Sequence, residues 1–261
     1  MSDAFIGPAL AAVVALVAYR VRALATSGAI AAFAVGAVVF GTGGWRGALV
    51  LFAFFIPSTL LSHVGRARKR VLDDVDKHGP RDGWQVLANG GVAATCALLA
   101  LRAGMPLAAA FAGAFAAASA DTWGTEIGTL SRALPRSILT RRPVATGLSG
   151  GVTPAGSLAS FAGAALVAAV AALTGVAPFW PVAVGGVAGA FLDSILGASV
   201  QALRWCPACA RECETNPHSC GTPTLLRRGL GWLTNDAINF AATLGGAVVA
   251  VSLATLIAKQ P

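Results

Sequence analysis

Long apolar runs follow one another along the chain, separated by short polar breaks. A helix needs about 17–25 apolar residues to cross a bilayer, and runs of this kind lie at residues 4–20, 26–41, 46–63, 84–101, 105–128, 153–175, 178–200 and 233–257. They predict eight spans. The second run is the shortest and also reads as a re-entrant segment, which would leave seven. The first has no basic residue ahead of its apolar part and no clear cleavage site, so it reads as a span and not as a signal peptide. The expected fold is all-α: a polytopic transmembrane helical bundle forming a single integral-membrane domain over residues 1–261.

Composition agrees with this pattern. The chain is 56% hydrophobic and 11% charged, whereas a soluble domain carries about a quarter charged residues. Its 31 glycines, with many alanines, are the small residues that let membrane helices approach closely.

Charge then orients the spans. Of the 19 Lys and Arg residues, 16 fall in the loops after spans one, three, five and seven, against Arg46, Arg102 and Lys259 on the other side. Basic loops stay on the cytoplasmic side, so loops 64–83, 131–152 and 202–230 are expected there, with both termini outside. The net charge of +8 then describes a basic cytoplasmic face, suited to anionic lipid. A nucleic-acid partner is not expected, since no folded basic domain or aromatic platform is evident.

Against this background the acids stand out. Asp121, Glu126, Asp193 and Asp236 are the four of 11 that fall inside spans. Ionisable groups in a membrane segment are costly and mark functional sites. All four belong to the cytoplasmic halves of spans five, seven and eight, and no basic residue lies deep in a span to neutralise them. A shared divalent cation would do so through hard oxygen ligands. Caps and interhelical hydrogen bonds are the plainer alternative. Asp121 and Glu126, in Asp121-Thr122-Trp123-Gly124-Thr125-Glu126-Ile127-Gly128, are five positions apart, about 140° around a helix. Gly124 between them suggests that the helix ends or bends there.

Other polar groups gather at the same level. Lys77 and Arg81 precede span four and read either as phosphate ligands or as a snorkelling basic flank. Gln85 and Asn89 share one face of that span, for a polar pocket or for bonds between helices. The loop Arg141-Arg142-Pro143-Val144-Ala145-Thr146-Gly147-Leu148-Ser149-Gly150-Gly151 could cradle an anion on backbone N–H groups, with the helix starting near Pro154 adding its positive end. No Gly-Lys-Ser/Thr follows, so it is not a Walker A loop. In span seven, Asp193 has Gly197 on its face and Ser194 beside it. Asn235, Asp236 and Asn239 open span eight, as a phosphate-and-metal cluster or as N-cap residues.

Four of five cysteines, Cys206, Cys209, Cys213 and Cys220, crowd the loop 202–230 with His218 beside them. Cys206-Pro207-Ala208-Cys209 has the spacing of a metal knuckle, and a cytoplasmic loop is not expected to keep disulfides. A bracing structural Zn²⁺ is the expectation, with free thiols as the alternative. Cys96 belongs to span four.

The segments Gln85 to Gly90, Ala120-Asp121-Thr122-Trp123 to Glu126-Ile127-Gly128, Gly147 to Gly150-Gly151-Val152, Leu192-Asp193-Ser194 to Gly197-Ala198 and Gln201, and Asn235-Asp236 to Asn239 carry a resemblance. Together they resemble the integral-membrane family of domain of unknown function 92, which includes the phytyl-phosphate kinase and transmembrane protein 19. The family's Val-Pro-x-Gly-Thr stretch stands here as Val144-Ala145-Thr146-Gly147-Leu148. The resemblance implies a kinase that converts a membrane-embedded isoprenyl monophosphate to the diphosphate, with CTP and Mg²⁺. Asp121, Glu126, Asp193 and Asp236 would hold Mg²⁺. Lys77, Arg81 and Arg141 would bind phosphates, with Gln85, Asn89, Thr125, Gly147, Gly150, Gly151, Ser194, Asn235 and Asn239 lining the phosphate site. A kinase of the free isoprenoid alcohol, or an ion or solute transporter with intramembrane carboxylates, are the competing readings.

Overall fold

The structure, a computed structural model, describes residues 3–65, 79–103 and 105–259. Its described helices are α1 (Asp3–Arg20), α2 (Thr26–His63), α3 (Gly83–Ala103), α4 (Met105–Gly128), α5 (Pro154–Leu173), α6 (Phe179–Ser199) and α7 (Asn235–Ala258). Lys77 and most of the loop 64–83 lie outside the described residues.

Helix α2 is 38 residues long, and its backbone leaves the helical region at Gly44, with φ 55° and ψ −151°. Only glycine adopts that conformation without strain. The chain reverses here. The rings of Phe40 and Phe52 meet at 5.9 Å, whereas twelve residues of unbroken helix would hold them about 18 Å apart. The two halves are therefore an antiparallel hairpin, and the second apolar run of the sequence is a full helix in it. With the halves counted separately, the described residues hold eight helical segments. By length and composition α2, α3, α5, α6 and α7 can each cross a membrane, and α1 adds a shorter apolar helix.

Helix α4 is the centre of the bundle. Ala109, Ala110, Phe111, Ala112, Ala114, Phe115, Ala116, Ala117, Ala118 and Ala120 are all buried. A helix apolar on every side is one surrounded on every side, and its alanines let the neighbours come close. A methyl at Gly156 of α5 would stand 2.7 Å from the Gly124 carbonyl oxygen, and one at Gly186 of α6 would stand 2.7 Å from the Ala116 Cβ. On another side Phe115 stacks on Phe54 of α2 at 5.5 Å. The packing also removes the bend expected at Gly124. The helix runs on to Gly128, and Gly124 serves a close approach to α5 instead of a turn.

Among the described residues, two small β elements lie outside the bundle. Strand β1 (Arg136–Ser137) pairs with β2 (Gly151–Val152), closing the loop that leads into α5. Between α6 and α7, β3 (Leu203–Cys206) is flanked by β4 (Arg211–Cys213) and β5 (Leu225–Arg228) in an antiparallel ribbon.

Candidate active site

A polar cleft of ≈ 230 Å³ opens at one end of the bundle. Five helices reach it: the last turns of α4, the second half of α6, and the first turns of α3, α5 and α7. The arrangement has an electrostatic consequence. Helix N-termini carry partial positive charge and favour anions, and C-termini carry partial negative charge and favour cations. Three N-termini and two acid-bearing C-terminal halves thus offer anion-binding and cation-binding walls in one space. With about 30 Å³ for a water-sized group, the cleft has room for phosphate groups and an ion.

Asp121, Glu126 and Asp193 all line this cleft. Asp193 is buried. Although Asp121 and Glu126 point well apart around α4, Thr122, Gly124, Thr125, Gly128 and Thr129 also line the space, so the cleft wraps the end of the helix. The Ser62 hydroxyl, at the end of α2, donates to Glu126 Oε1 and accepts from Arg81 Nη2 at 3.4 Å. Burial lowers the Arg81 guanidinium from its ordinary pKa and the Glu126 carboxylate raises it in part; an arginine remains charged throughout.

Arg81 is fixed by its backbone. Its N–H donates to the Ala23 carbonyl and its carbonyl accepts from Ala25 N–H, both at 3.0 Å, so the α1–α2 link holds the start of α3. The next residues form a capping box: Gln85 N–H donates to Asp82 Oδ1 and Asp82 N–H donates to Gln85 Oε1, each at 3.0 Å. This reciprocal pair fixes the first turn. Gln85 is therefore partly spent on capping, and Asn89 Nδ2 donates to the Gln85 carbonyl at 2.9 Å. The Gln85 amide nitrogen and the Asn89 oxygen are the parts of these side chains left for the cleft.

The glycine loop forms another wall. Thr146, Gly147, Leu148, Ser149, Gly150 and Gly151 line the cleft. Gly150 has φ 79° and sits against Ala198 of α6, where a methyl would meet the Ala198 backbone nitrogen at 2.5 Å. Part of the expected cradle is turned inward: Gly151 N–H donates to the Leu148 carbonyl at 3.2 Å, and Ser149 N–H donates to Glu214 Oε1 at 2.7 Å. At α5, Thr153 caps the helix by accepting from Gly156 N–H at 3.0 Å.

The cleft thus gathers Arg81, Gln85, Asn89, Asp121, Thr125, Glu126, Gly147, Gly150, Gly151, Asp193, Ser194, Asn235 and Asn239. Asp236 and Arg141 are not among its lining residues. Asn235 and Asn239 share one face of α7, and Asp236 is about 100° around from Asn235. Thr234 holds the cap position of that helix, so none of the three is its N-cap. Arg141 lies exposed in the tip between β1 and β2, at φ 59°.

Beside the cleft is a second, apolar pocket of ≈ 70 Å³ between α1, both halves of α2 and α3. Val14, Ala15, Val35, Phe52, Phe54 and Phe115 are among its walls, and Arg81, Gln85 and Asn89 line both spaces. The many small residues allow apolar grooves among the spans, but the sequence did not place this one. It exists only because the α2 hairpin folds against α1.

A family model for an integral membrane protein, DUF92, matches residues 9–247. The chain belongs to the DUF92 family of integral membrane proteins. It is 32% identical to Protein PGR of Arabidopsis thaliana, over 90% of this chain and 90% of that one. It is 28% identical to an uncharacterised membrane protein of Methanocaldococcus jannaschii, over 95% and 92% of the two chains. An uncharacterised membrane protein of Synechocystis is 27% identical over 85% and 79%. No solved structure matches.

This DUF92 protein also holds a Cys/His cluster able to bind a metal ion, on the ribbon beyond α6. Its members are Cys206, Cys209, His218 and Cys220, with their ligand atoms all within 4.8 Å of one another. His218 takes the place that the sequence pattern gave to Cys213. Two strand positions, about 6.6 Å, separate the Arg204–Cys213 pair from the Cys206–Arg211 pair. Cys213 is thus out of reach, and its Sγ faces the Thr215 carbonyl. The crowding shifts the thiols: the Cys209 thiol is pushed up to about 11, chiefly by its hydrogen bond with Cys220. Cys220 is brought down to about 6 by hydrogen bonds with Thr222 and His218. Glu214 escaped the sequence reading entirely. It lies in a loop with no local signal, and its partners Ser149 and Gln201 are 65 and 13 residues away.

Proposed function

We propose that this protein is a membrane phosphotransferase that moves the γ-phosphoryl group of a nucleoside triphosphate, CTP by the family resemblance, onto an isoprenyl monophosphate. The observation that carries the reading is the pair of adjoining spaces. A cleft with carboxylates, helix N-termini and Arg81 meets an apolar pocket at Arg81, Gln85 and Asn89. The ligand that satisfies both has an anionic head and a hydrocarbon tail. The apolar pocket holds little more than two water-sized groups, at about 30 Å³ each, so it would take the tail next to the head. The remaining tail would run out among the bilayer lipids.

In the transfer, an oxygen of the acceptor phosphate forms a bond to the γ-phosphorus. The bond from that phosphorus to the β–γ bridging oxygen breaks, and the nucleoside diphosphate leaves with the electron pair. A phosphate with a second pKa near 6 is already largely ionised at neutral pH, so no strong general base is needed. Positioning and charge neutralisation carry such a reaction. Arg81 would bind the acceptor head, and Asn89, Asn235 and Asn239 would orient the phosphates. Asp121, Glu126 and Asp193 line one cleft; they would hold Mg²⁺ there, since carboxylates are the hard oxygen ligands that this ion takes. A bound Mg²⁺ would supply neutralisation of the negative charge that shifts during the transfer. The cleft and the loops 64–83, 131–152 and 202–230 would face the cytoplasm, where nucleotide is found; the concentration of basic residues in those loops supports this orientation.

The test is product formation by purified protein in detergent, supplied with CTP, Mg²⁺ and a prenyl phosphate, a prenyl alcohol or no acceptor. Diphosphate product only from the phosphate is the expected result. Turnover of the alcohol alone would make the protein an alcohol kinase, and no product with either would overturn the reading.

A further inference from the structure

We infer that the ribbon between α6 and α7 binds one structural zinc ion through Cys206, Cys209, His218 and Cys220, and that it holds the glycine loop of the cleft through Glu214. The inference stands on the ribbon's own contacts and does not depend on the reaction proposed above.

The donor set is the first ground. Three thiols and an imidazole are a soft set that selects zinc over the hard cations of the cleft. With Zn–S near 2.3 Å and Zn–N near 2.0–2.1 Å, ligand atoms on a tetrahedron stand about 3.5–3.8 Å apart. Cys206 Sγ and Cys220 Sγ are 3.6 Å apart, Cys209 Sγ and His218 Nδ1 are 3.6 Å apart, and His218 Nδ1 and Cys220 Sγ are 3.2 Å apart. The first two are spacings of tetrahedral metal ligands and the third is slightly shorter, while the sulfur pair is far from the disulfide length of about 2.05 Å. Cys206 and His218 are buried, although the ribbon has almost no apolar core of its own. A domain this small needs such a staple.

The second ground is what the staple fixes. Cys206 ends β3 and Cys209 lies in the β3–β4 turn, while His218 and Cys220 belong to the connection from β4 to β5. A shared ion would bind that connection to the turn. Glu214 opens the connection, between strand β4 and His218, and so is held from both sides. Its carboxylate accepts from Ser149 N–H at 2.7 Å, from the Ser149 hydroxyl at 2.8 Å and from Gln201 Nε2 at 2.7 Å. Gln201, buried at the foot of β3, also donates to the Ser149 hydroxyl at 2.9 Å. Ser149 lines the cleft between Leu148 and Gly150. Glu214 is therefore a positioning residue: it touches no cleft space itself and sets the loop that does.

Metal content and loop protection test the two halves separately. Reduced, purified protein should carry about one equivalent of zinc, the occupancy of one closed four-ligand site. Cys206→Ser and His218→Ala should lose it, and Cys213→Ser should keep it. Protein stripped by a chelator should take up Co²⁺ with the absorption of a tetrahedral thiolate site. Hydrogen exchange across residues 146–152 should rise at least about tenfold, equivalent to losing about 1.4 kcal/mol of protection, in the stripped protein. Re-adding zinc should reverse the rise. Glu214→Ala should show the same rise with zinc still bound, and Glu214→Asp should restore part of the protection. No zinc in folded protein, or equal zinc loss with Cys213→Ser and not with His218→Ala, would overturn the site. Unchanged exchange of the loop in either stripped protein or Glu214→Ala would overturn the coupling. Neither outcome bears on whether the cleft transfers phosphate.

Discussion

The polar cleft and the apolar pocket beside it share Arg81, Gln85 and Asn89, and almost nothing else in their construction is alike. The cleft is built at helix ends. Its carboxylates come from α4 and α6, its amides from α3 and α7, and a loop closes it. The pocket is built on helix flanks, from alanines, valines and phenylalanines of α1, α2, α3 and α4. Helix ends offer unsatisfied backbone groups and a dipole; helix flanks in a membrane offer only side chains. In the proposed function the two together would take the two halves of an amphiphile, and the capping box that starts α3 is the seam between them.

Charge removal in the cleft is the sharpest way to break this comparison. Asp121→Asn and Asp193→Asn keep shape and remove charge. If these groups hold Mg²⁺ against the transferring phosphate, each should lower turnover by at least about 10²–10³-fold, the scale of losing one electrostatic stabiliser of a transition state. Thermal stability should hold or rise, since a costly buried charge is gone. Turnover and melting measured side by side decide the matter, and near-normal turnover in both variants would end the metal-site reading.

At the seam, Arg81→Met keeps the apolar stem and the backbone bonds to Ala23 and Ala25 but removes the guanidinium. A charge-assisted hydrogen bond is worth about 1.5–3 kcal/mol, so kcat/KM for prenyl phosphate should fall by roughly 10–100-fold. Because the same side chain faces both spaces, the loss should be as large for a short-chain acceptor as for a long one.

The apolar side should respond differently. Val14→Trp places a large ring in the pocket from a half-buried position on α1. An apolar pocket discriminates by about 1–3 kcal/mol for small misfits. The KM for the prenyl phosphate should therefore rise on the order of tenfold, with the KM for nucleotide unchanged. A rise in both would mean that the pocket is not a separate tail site.

The smallest effect is expected at Asp236. It follows the cleft residue Asn235 on the chain but is not among the residues lining the space. Asp236→Asn should leave turnover within about threefold of normal, the range of substitutions away from a site. A loss matching Asp121→Asn would bring Asp236 into the metal site and require the start of α7 to rotate.

Periodicity and composition alone determined the helical, membrane-spanning class and, to within a few residues, where each helix lies. An apolar run of bilayer length has one stable form, since every backbone group must bond within its own segment. Carboxylates in such runs are costly, so Asp121, Glu126 and Asp193 stood out as candidates before any packing was known, and the three line one cleft. The tertiary structure decided which neighbours face each other. One residue of offset on α7 turns Asp236 from the cleft that Asn235 and Asn239 line. Two strand positions put Cys213 out of the cluster that His218 joins. The close fit of Gly124 against α5 keeps α4 straight through a residue able to bend it. Glu214 and the apolar pocket had no local trace, because each depends on contacts between segments distant along the chain, and such contacts are fixed only when the helices pack.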